Sequence, residues 1–185
     1  MANNVHYSVN LDLDAGQIAL LEKTMKAVET EQGEMKWKSW TAEDLPIYPV
    51  SYNEDDWYNW SCENIGAKWC HIEEYADDYI SGYSAWSPPI PLVENLVQYI
   101  HDQVGGDVSA KLTYEDEFRN FIGVWQNDDF EELDGEDLVS VFENKYRVNV
   151  SGDDFDWSDY DENTEACYDE LFDGLVHEWF DEVQV

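Results

Sequence analysis

With 185 residues the chain has room for one domain, or one domain with an appended piece, and can bury roughly two-thirds of its unfolded surface. An aromatic content of 15%, with nine Trp and twelve Tyr, excludes a disordered acidic tail, which would be poor in such residues. Forty-three acids against nine Lys and Arg give a net charge of −34, which repels phosphate and excludes direct binding to nucleic acid or an anionic membrane.

Solubility needs a charge of only about 2–8 on a small domain, so −34 calls for another cause. Halophilic adaptation would spread the acids evenly. They are not even: residues 112–185 hold 24 acids and 3 bases, net −21, whereas residues 1–111 hold 19 and 6, net −13. From residue 148 onward there are 13 acids and no Lys or Arg. This gradient favours a functional acidic surface. No basic segment followed by an apolar run opens the chain, and no window approaches 18 apolar residues, so neither a secretory leader nor a membrane span is expected. The odd, sparse set Cys62, Cys70 and Cys167 fits a reducing cytoplasm.

In chain order, residues 6–12 alternate Tyr7, Val9 and Leu11 with polar residues and predict a half-buried strand. Asp14 with Gln17 makes a capping box, and Ile18, Leu21, Met25 and Val28 fall at helical spacing up to a stop at Gly33. Residues 34–66 hold Trp37, Trp40, Trp57 and Trp60 without sustained periodicity and read as a long aromatic-pinned excursion. Residues 69–75 and 79–86 predict a strand pair around an Asp77-Asp78 turn. Ser87-Pro88-Pro89 then starts a helix with Leu92, Val93, Leu96, Val97, Ile100 and Val104 as its stripe, ended by Gly105-Gly106. Strands at 108–114 and 120–126 follow, joined by a turn at 115–118. Strand, helix, two strands, helix, strand is the double β-α-β plan of a ferredoxin-like α+β domain. It predicts an antiparallel sheet with two helices on one face and the other face free.

Residues 127–185 read as an acidic, mainly helical extension packed on that 1–126 domain. A short helix is expected at 135–146, a brief strand at 147–150, and a long helix at 162–183. The long helix carries the stripe Tyr168, Leu171, Phe172, Leu175, Val176, Trp179, Phe180 and Val183.

Two stretches carry a family resemblance. Tyr58-Asn59-Trp60 with Glu63-Asn64-Ile65-Gly66-Ala67-Lys68-Trp69 resembles the W…N-W-G-T-K-W signature of phage and plasmid proteins with a YubB-type ferredoxin-like domain. Ala85-Trp86-Ser87-Pro88-Pro89-Ile90-Pro91 resembles that family's A-W-S-P-P-I-P element, and Met1-Ala2-Asn3-Asn4-Val5 is similar to its usual opening. The resemblance covers residues 1–126 and departs from the pattern at Ile65 and Ala67, where the family has Trp and Thr. It implies a ferredoxin-like fold and a mobile-element origin, and it brings no catalytic residues.

The candidate chemistry is electrostatic. His6, His71, His101 and His177 stand in no signature with Ser, Cys or Asp, and no phosphate-binding Gly loop occurs, so no catalytic residue and no cofactor are expected. Cys62, Cys70 and His71 lack the spacing of a zinc site. Residues 154–165 place oxygens at several calcium-loop positions, but Asp159 stands where the turn wants Gly, so no metal is expected. Trp37, Trp40, Trp57, Trp60, Trp69 and Trp86 are expected in core and loop-pinning roles, because a base-stacking platform would come with a basic groove.

The candidate partner-binding residues are Asp128, Asp129, Glu131, Glu132, Asp153, Asp154, Asp156, Asp159, Asp161, Glu162, Glu165, Asp169, Glu170 and Asp173. On the last helix, carboxylates recurring every three or four residues stand about 5–6 Å apart along a rod of about 33 Å. DNA phosphates repeat on a comparable scale, about 3.4 Å of rise per nucleotide. The expected function is therefore a phage-type inhibitor that binds a basic host protein by partial DNA mimicry. Targets of the right chemistry are a defence nuclease, a nucleoid protein or RNA polymerase. The alternative is a ferredoxin-like interaction module whose acidity is environmental.

Overall fold

The computed structural model describes residues 3–32, 37–146 and 162–183; for 30–32, 37–39 and 162–169 only the backbone is described. The fold is α+β. The first strand, β1 (Asn4–Asp12), buries Val5, Tyr7, Val9 and Leu11 and turns His6, Ser8 and Asn10 to the opposite face. Helix α1 (Ala15–Ala27) begins as its capping box requires. The Asp14 carboxylate accepts from the Gly16 and Gln17 N–H groups at 2.7 and 2.9 Å, and Gln17 Oε1 accepts from the Asp14 N–H at 2.8 Å.

The helix stops at Ala27, short of the expected stop at Gly33, because Glu29–Gln32 (β2) pairs in a hairpin with Trp37–Thr41 (β3). The excursion is thus structured. After β3 come two single 3-10 turns, at Ala42–Asp44 and Glu54–Asp56, and a short helix α2 (Trp57–Asn64). Next come β4 (Cys70–Ala76), β5 (Tyr79–Ala85), α3 (Ile90–Val104), β6 (Ser109–Asp116), β7 (Phe121–Gln126), β8 (Asp129–Asp134), α4 (Gly135–Tyr146) and α5 (Glu162–Glu182). The brief strand expected at 147–150 lies outside the described residues.

The eight described strands form one antiparallel sheet in the order β2-β3-β4-β5-β1-β6-β7-β8. Leu21 and Met25 of α1 and Leu92, Val93, Leu96 and Ile100 of α3 pack with the odd residues of β1 and with Ile72, Ile80, Leu112 and Tyr114 in one core. Val104, expected in the α3 stripe, is exposed at the helix end. Gly82 and Gly123 leave room for tyrosine rings to lie across neighbouring strands. Tyr7 crosses Gly82 and donates its hydroxyl to the His71 carbonyl at 3.0 Å. A Cβ at Gly82 would stand 1.9 Å from that carbonyl oxygen and 2.9 Å from Tyr7 Oη. Gly82→Ala therefore lowers the unfolding free energy by roughly 3 kcal/mol, the upper end of ordinary overpacking. Urea unfolding beside Ser81→Ala checks this, and equal midpoints for the two variants would contradict it.

The two stretches that carry the family resemblance dock on each other. Gly66, at φ 92°, lies where a Cβ would meet Pro91 Cδ at 2.5 Å. Ser87 Oγ donates to the Gly66 carbonyl at 2.6 Å, and the Leu92 N–H donates to the Ile65 carbonyl at 3.2 Å. Ser87 is thus committed to α2's exit and does not cap α3, which starts at Ile90. Beyond β6, the buried Asp116 carboxylate holds the turn, accepting from the Phe118 N–H at 3.0 Å, the Asn120 N–H at 3.1 Å and Asn120 Nδ2 at 2.7 Å. That turn falls two residues later than its sequence position suggested.

Among the described residues, the other face of the sheet is covered only at its β7–β8 end. There Ile122 and Leu133 meet Leu138 and Phe142 of α4 and Phe172, Leu175 and Val176 of α5 in a second core. Phe142 stacks on Phe172 with centroids 4.2 Å apart and rings 14° from parallel. β8 itself departs from the mainly helical extension expected after residue 126. It forms because Asn127 and Asp128, at φ 49° and 75°, make a two-residue turn that folds the chain back on β7.

Candidate functional site

Seven acidic side chains of β8, α4 and the described part of α5 illustrate how the second core holds the surface: Asp129, Glu131, Glu136, Asp137, Glu170, Asp181 and Glu182 are all exposed around it. Among the sequence-predicted partner residues, Asp128 sits in the turn and Asp129, Glu131 and Glu132 on β8. Glu170 and Asp173 stand exposed on α5. Glu162, Glu165 and Asp169 belong to α5 by their backbone, and their side chains lie outside the described residues, as do Asp153, Asp154, Asp156, Asp159 and Asp161 altogether.

The described acids are not one row. Strand alternation sends Asp129 and Glu131 to the face that α4 and α5 cover, paired with Gln126 and Val124, while Glu132 opposes Gly123 on the other face. There Glu132 accepts the Tyr114 hydroxyl at 2.9 Å, and burial pushes that phenol's pKa above its ordinary range. Asp134 caps α4, its Oδ1 accepting from the Glu136 and Asp137 N–H groups at 2.9 Å each.

The described cations beside this surface are engaged within the chain. Arg119 Nη2 reaches Asp173 Oδ1 at 2.7 Å, and Lys145 pairs with Glu178. Lys111 Nζ donates to the Phe180 and Val183 carbonyls at 3.1 and 3.4 Å, completing the C-terminal end of α5. Exposed pairs of this kind contribute little to stability. Their effect is to leave the outward charge negative.

Between α5 and the uncovered part of the same sheet face lies a cleft of about 560 Å³, with His6, Ser8, Tyr79, Thr113, Glu115 and His177 on its walls. Sequence reasoning placed no site here, although the polar residues alternating along β1 are its floor. Burial pushes the Glu115 carboxyl above the usual carboxylate range and Asp173 adds to this, while Arg119, His177 and His6 pull it back. Among the described residues, no group of three or more His, Cys, Asp or Glu is placed to hold a metal ion, and no helix is long and apolar enough to cross a membrane.

The tryptophans divide. Trp40 and Trp60 are buried, whereas Trp69 and Trp86 are 44% and 58% exposed, which leaves them out of the core half of the expected core and loop-pinning roles. Both stand at one end of the sheet where their strands leave the core. Trp69 carries the Lys68 ammonium 4.2 Å above its ring. Comparison with known proteins finds no matching family model, no similar curated protein and no similar solved structure.

Proposed function

We propose that this chain is a phage-type acidic binding protein, without catalytic activity or cofactor, that occupies the nucleic-acid site of a basic host protein in the cytoplasm and inhibits it by partial DNA mimicry. The observation that supports this reading most is the pairing of an apolar second core with an outward surface whose neighbouring cations are internally engaged. Carboxylates seated on packed elements meet a partner's Lys and Arg without first losing backbone freedom, which lowers the ordering cost of binding. In the same reading, β6-β1-β5-β4 with α1 and α3 is a ferredoxin-like unit, extended by β2–β3 on one side and β7–β8 on the other.

The test is capture on the immobilised protein from a bacterial extract at about 50 mM and about 200 mM salt. A complex steered by exposed charge pairs weakens steeply across that interval, because the added salt screens them. Basic nucleic-acid-binding proteins are expected at low salt, released by high salt and by duplex DNA. Retention indifferent to both, or retention of no such protein, would overturn the proposal. The uncovered polar floor of the sheet favours a second reading, a non-mimic interaction module, in which capture survives neutralisation of the β8 and α5 acids.

A further inference from the structure

A second cavity lies away from the acidic half, in the segment between β3 and α2. It measures about 280 Å³ and is bordered by Glu43, Leu45, Pro46, Tyr48, Val50 and Tyr52 with Ser51. Its walls are fixed. Tyr48 and Tyr52 both pack edge-on against Trp60, with centroids 4.8 and 5.1 Å away. Trp60 Nε1 donates to the Val50 carbonyl at 3.1 Å, and the Tyr48 hydroxyl donates to the Ala42 carbonyl at 2.8 Å.

One group in this wall is out of balance. Glu43 Oε2 is shielded from solvent and has no hydrogen-bond partner among the described residues. Buried polar atoms are nearly always paired, so a carboxylate in the cavity wall with one orphaned oxygen leaves that wall short of a positive group. Burial pushes the Glu43 carboxyl above its ordinary range and Asp44 adds to this, whereas its own backbone N–H and His71 act the other way. Among the described residues, no Lys or Arg borders the cavity. Lys68, the nearest cation in sequence to α2, stands over Trp69 and Trp57 instead.

We infer that this cavity is a binding site for an alkyl cation, an ammonium or guanidinium group on an apolar stem, with Glu43 as its counter-ion and Tyr48, Tyr52 and Pro46 around the stem. The chemistry fits in each part. The carboxylate supplies the charge, the phenol rings supply electron-rich surface to a cation, and Leu45, Pro46 and Val50 match methylene groups. A hard metal ion would need several oxygen ligands, and Glu43 is the single carboxylate on this wall among the described residues. The volume admits one side-chain end or one small amine. The inference goes beyond the acidic-surface reading and stands apart from it, because no residue of β8, α4 or α5 takes part.

The experiment is an NMR titration of the full chain with n-butylguanidinium and n-butylammonium in about 0.15 M salt, with n-butanol as the uncharged control. Expected are saturable shifts confined to the amides of residues 42–60, with dissociation constants on the order of 1 mM. The alcohol gives none. Affinity falls at acid pH, since protonation of Glu43 removes the counter-ion; Asp44, His71, Tyr48 and Cys70 are the other titratable groups that face it. Glu43→Gln weakens guanidinium binding at least tenfold while keeping the thermal midpoint, and Tyr52→Ala, at a half-exposed rim, weakens it severalfold.

Asp55→Asn, an exposed acid nearby, leaves binding unchanged. Shifts spread over α4, α5 and β8 without saturation, or a Glu43→Gln variant that binds as well as the parent, overturn the site. Two further arms separate the sources of the cation. A capped Gly-Arg-Gly peptide that binds at least as well as n-butylguanidinium assigns the site to a protein side chain. Spermidine binding with the peptide excluded assigns it to a free amine.

Discussion

Phe142→Ala should lower the unfolding free energy by about 3–5 kcal/mol and free α5 from the sheet. Phe142 is fully buried and stacks flat on Phe172, so its loss leaves a ring-sized void at the centre of the second core. That core is small, with Ile122, Leu138, Phe142, Phe172, Leu175 and Val176 as its buried members, and it offers few neighbours to close the gap. Remaining ties between α5 and the sheet, such as Arg119 with Asp173 and Lys111 with the helix end, are exposed or part-buried polar contacts and cannot replace it.

Domain stabilities run to about 5–15 kcal/mol, so this one change removes a large share. It should act locally first. Amide exchange in α4, α5 and β8 accelerates, while β1, β5 and β6, seated on the larger core, keep their protection. Uniform acceleration across the whole sheet would show instead that the two cores unfold as one. An unaltered denaturation midpoint would mean that the second core holds little.

Neutralising six exposed acids, Asp128→Asn, Asp129→Asn, Glu131→Gln, Glu170→Gln, Asp181→Asn and Glu182→Gln, is expected to leave the fold intact and flatten the salt dependence of partner binding. None of these side chains caps a helix or accepts one of the hydrogen bonds described above. Removing six negative charges from a −34 chain also relieves self-repulsion, so the melting temperature holds or rises. Each carboxylate that meets a partner cation adds to the salt dependence of affinity, because salt screens exposed charge pairs. The slope of log affinity against log salt should therefore flatten, with affinity at low salt dropping about tenfold or more. A slope that stays as steep after six neutralisations would remove the basis of the mimicry proposal and favour the cleft beside α5. Splitting the set into its turn-and-β8 half and its α5 half then locates the contact.

How far the sequence spoke for the fold depended on whether a segment's structure came from its own pattern or from its neighbours. The alternation in β1, the Asp14–Gln17 box and the stripe of α3 are local signals, and each became the element it implied. β8 had no such signal. Its residues, DFEELD, are exposed at five of six positions, and it is a strand because the Asn127-Asp128 turn lays it against β7. A pair of residues tolerant of positive φ directly after an apolar strand was the available clue. α2 escaped notice because only Trp60 and Ser61 are buried in it, too few to print a helical period. The end of α1 was misplaced because Val28 fits the helical stripe while the next four residues are claimed by a strand partner.

The site was legible in the same uneven way. Total charge and its drift toward the C-terminal half are visible in composition. Which acids face outward together is decided by the β8 register, which divides Asp129 and Glu131 from Glu132. The cavity at Glu43 could not be read at all, since Tyr48, Tyr52 and Trp60 come together only through the loop that connects them.

β8 has one further consequence, for what happens when copies of this chain meet. It is the last strand of the sheet, and its outer edge pairs with no other strand among the described residues, the arrangement through which sheets grow into ribbons. An arriving duplicate strand would bring its own Asp129 and Glu131 against the same residues on one side, and Glu132 and Asp134 on the other. Crowded homotypic encounters are thus refused from both faces at neutral pH.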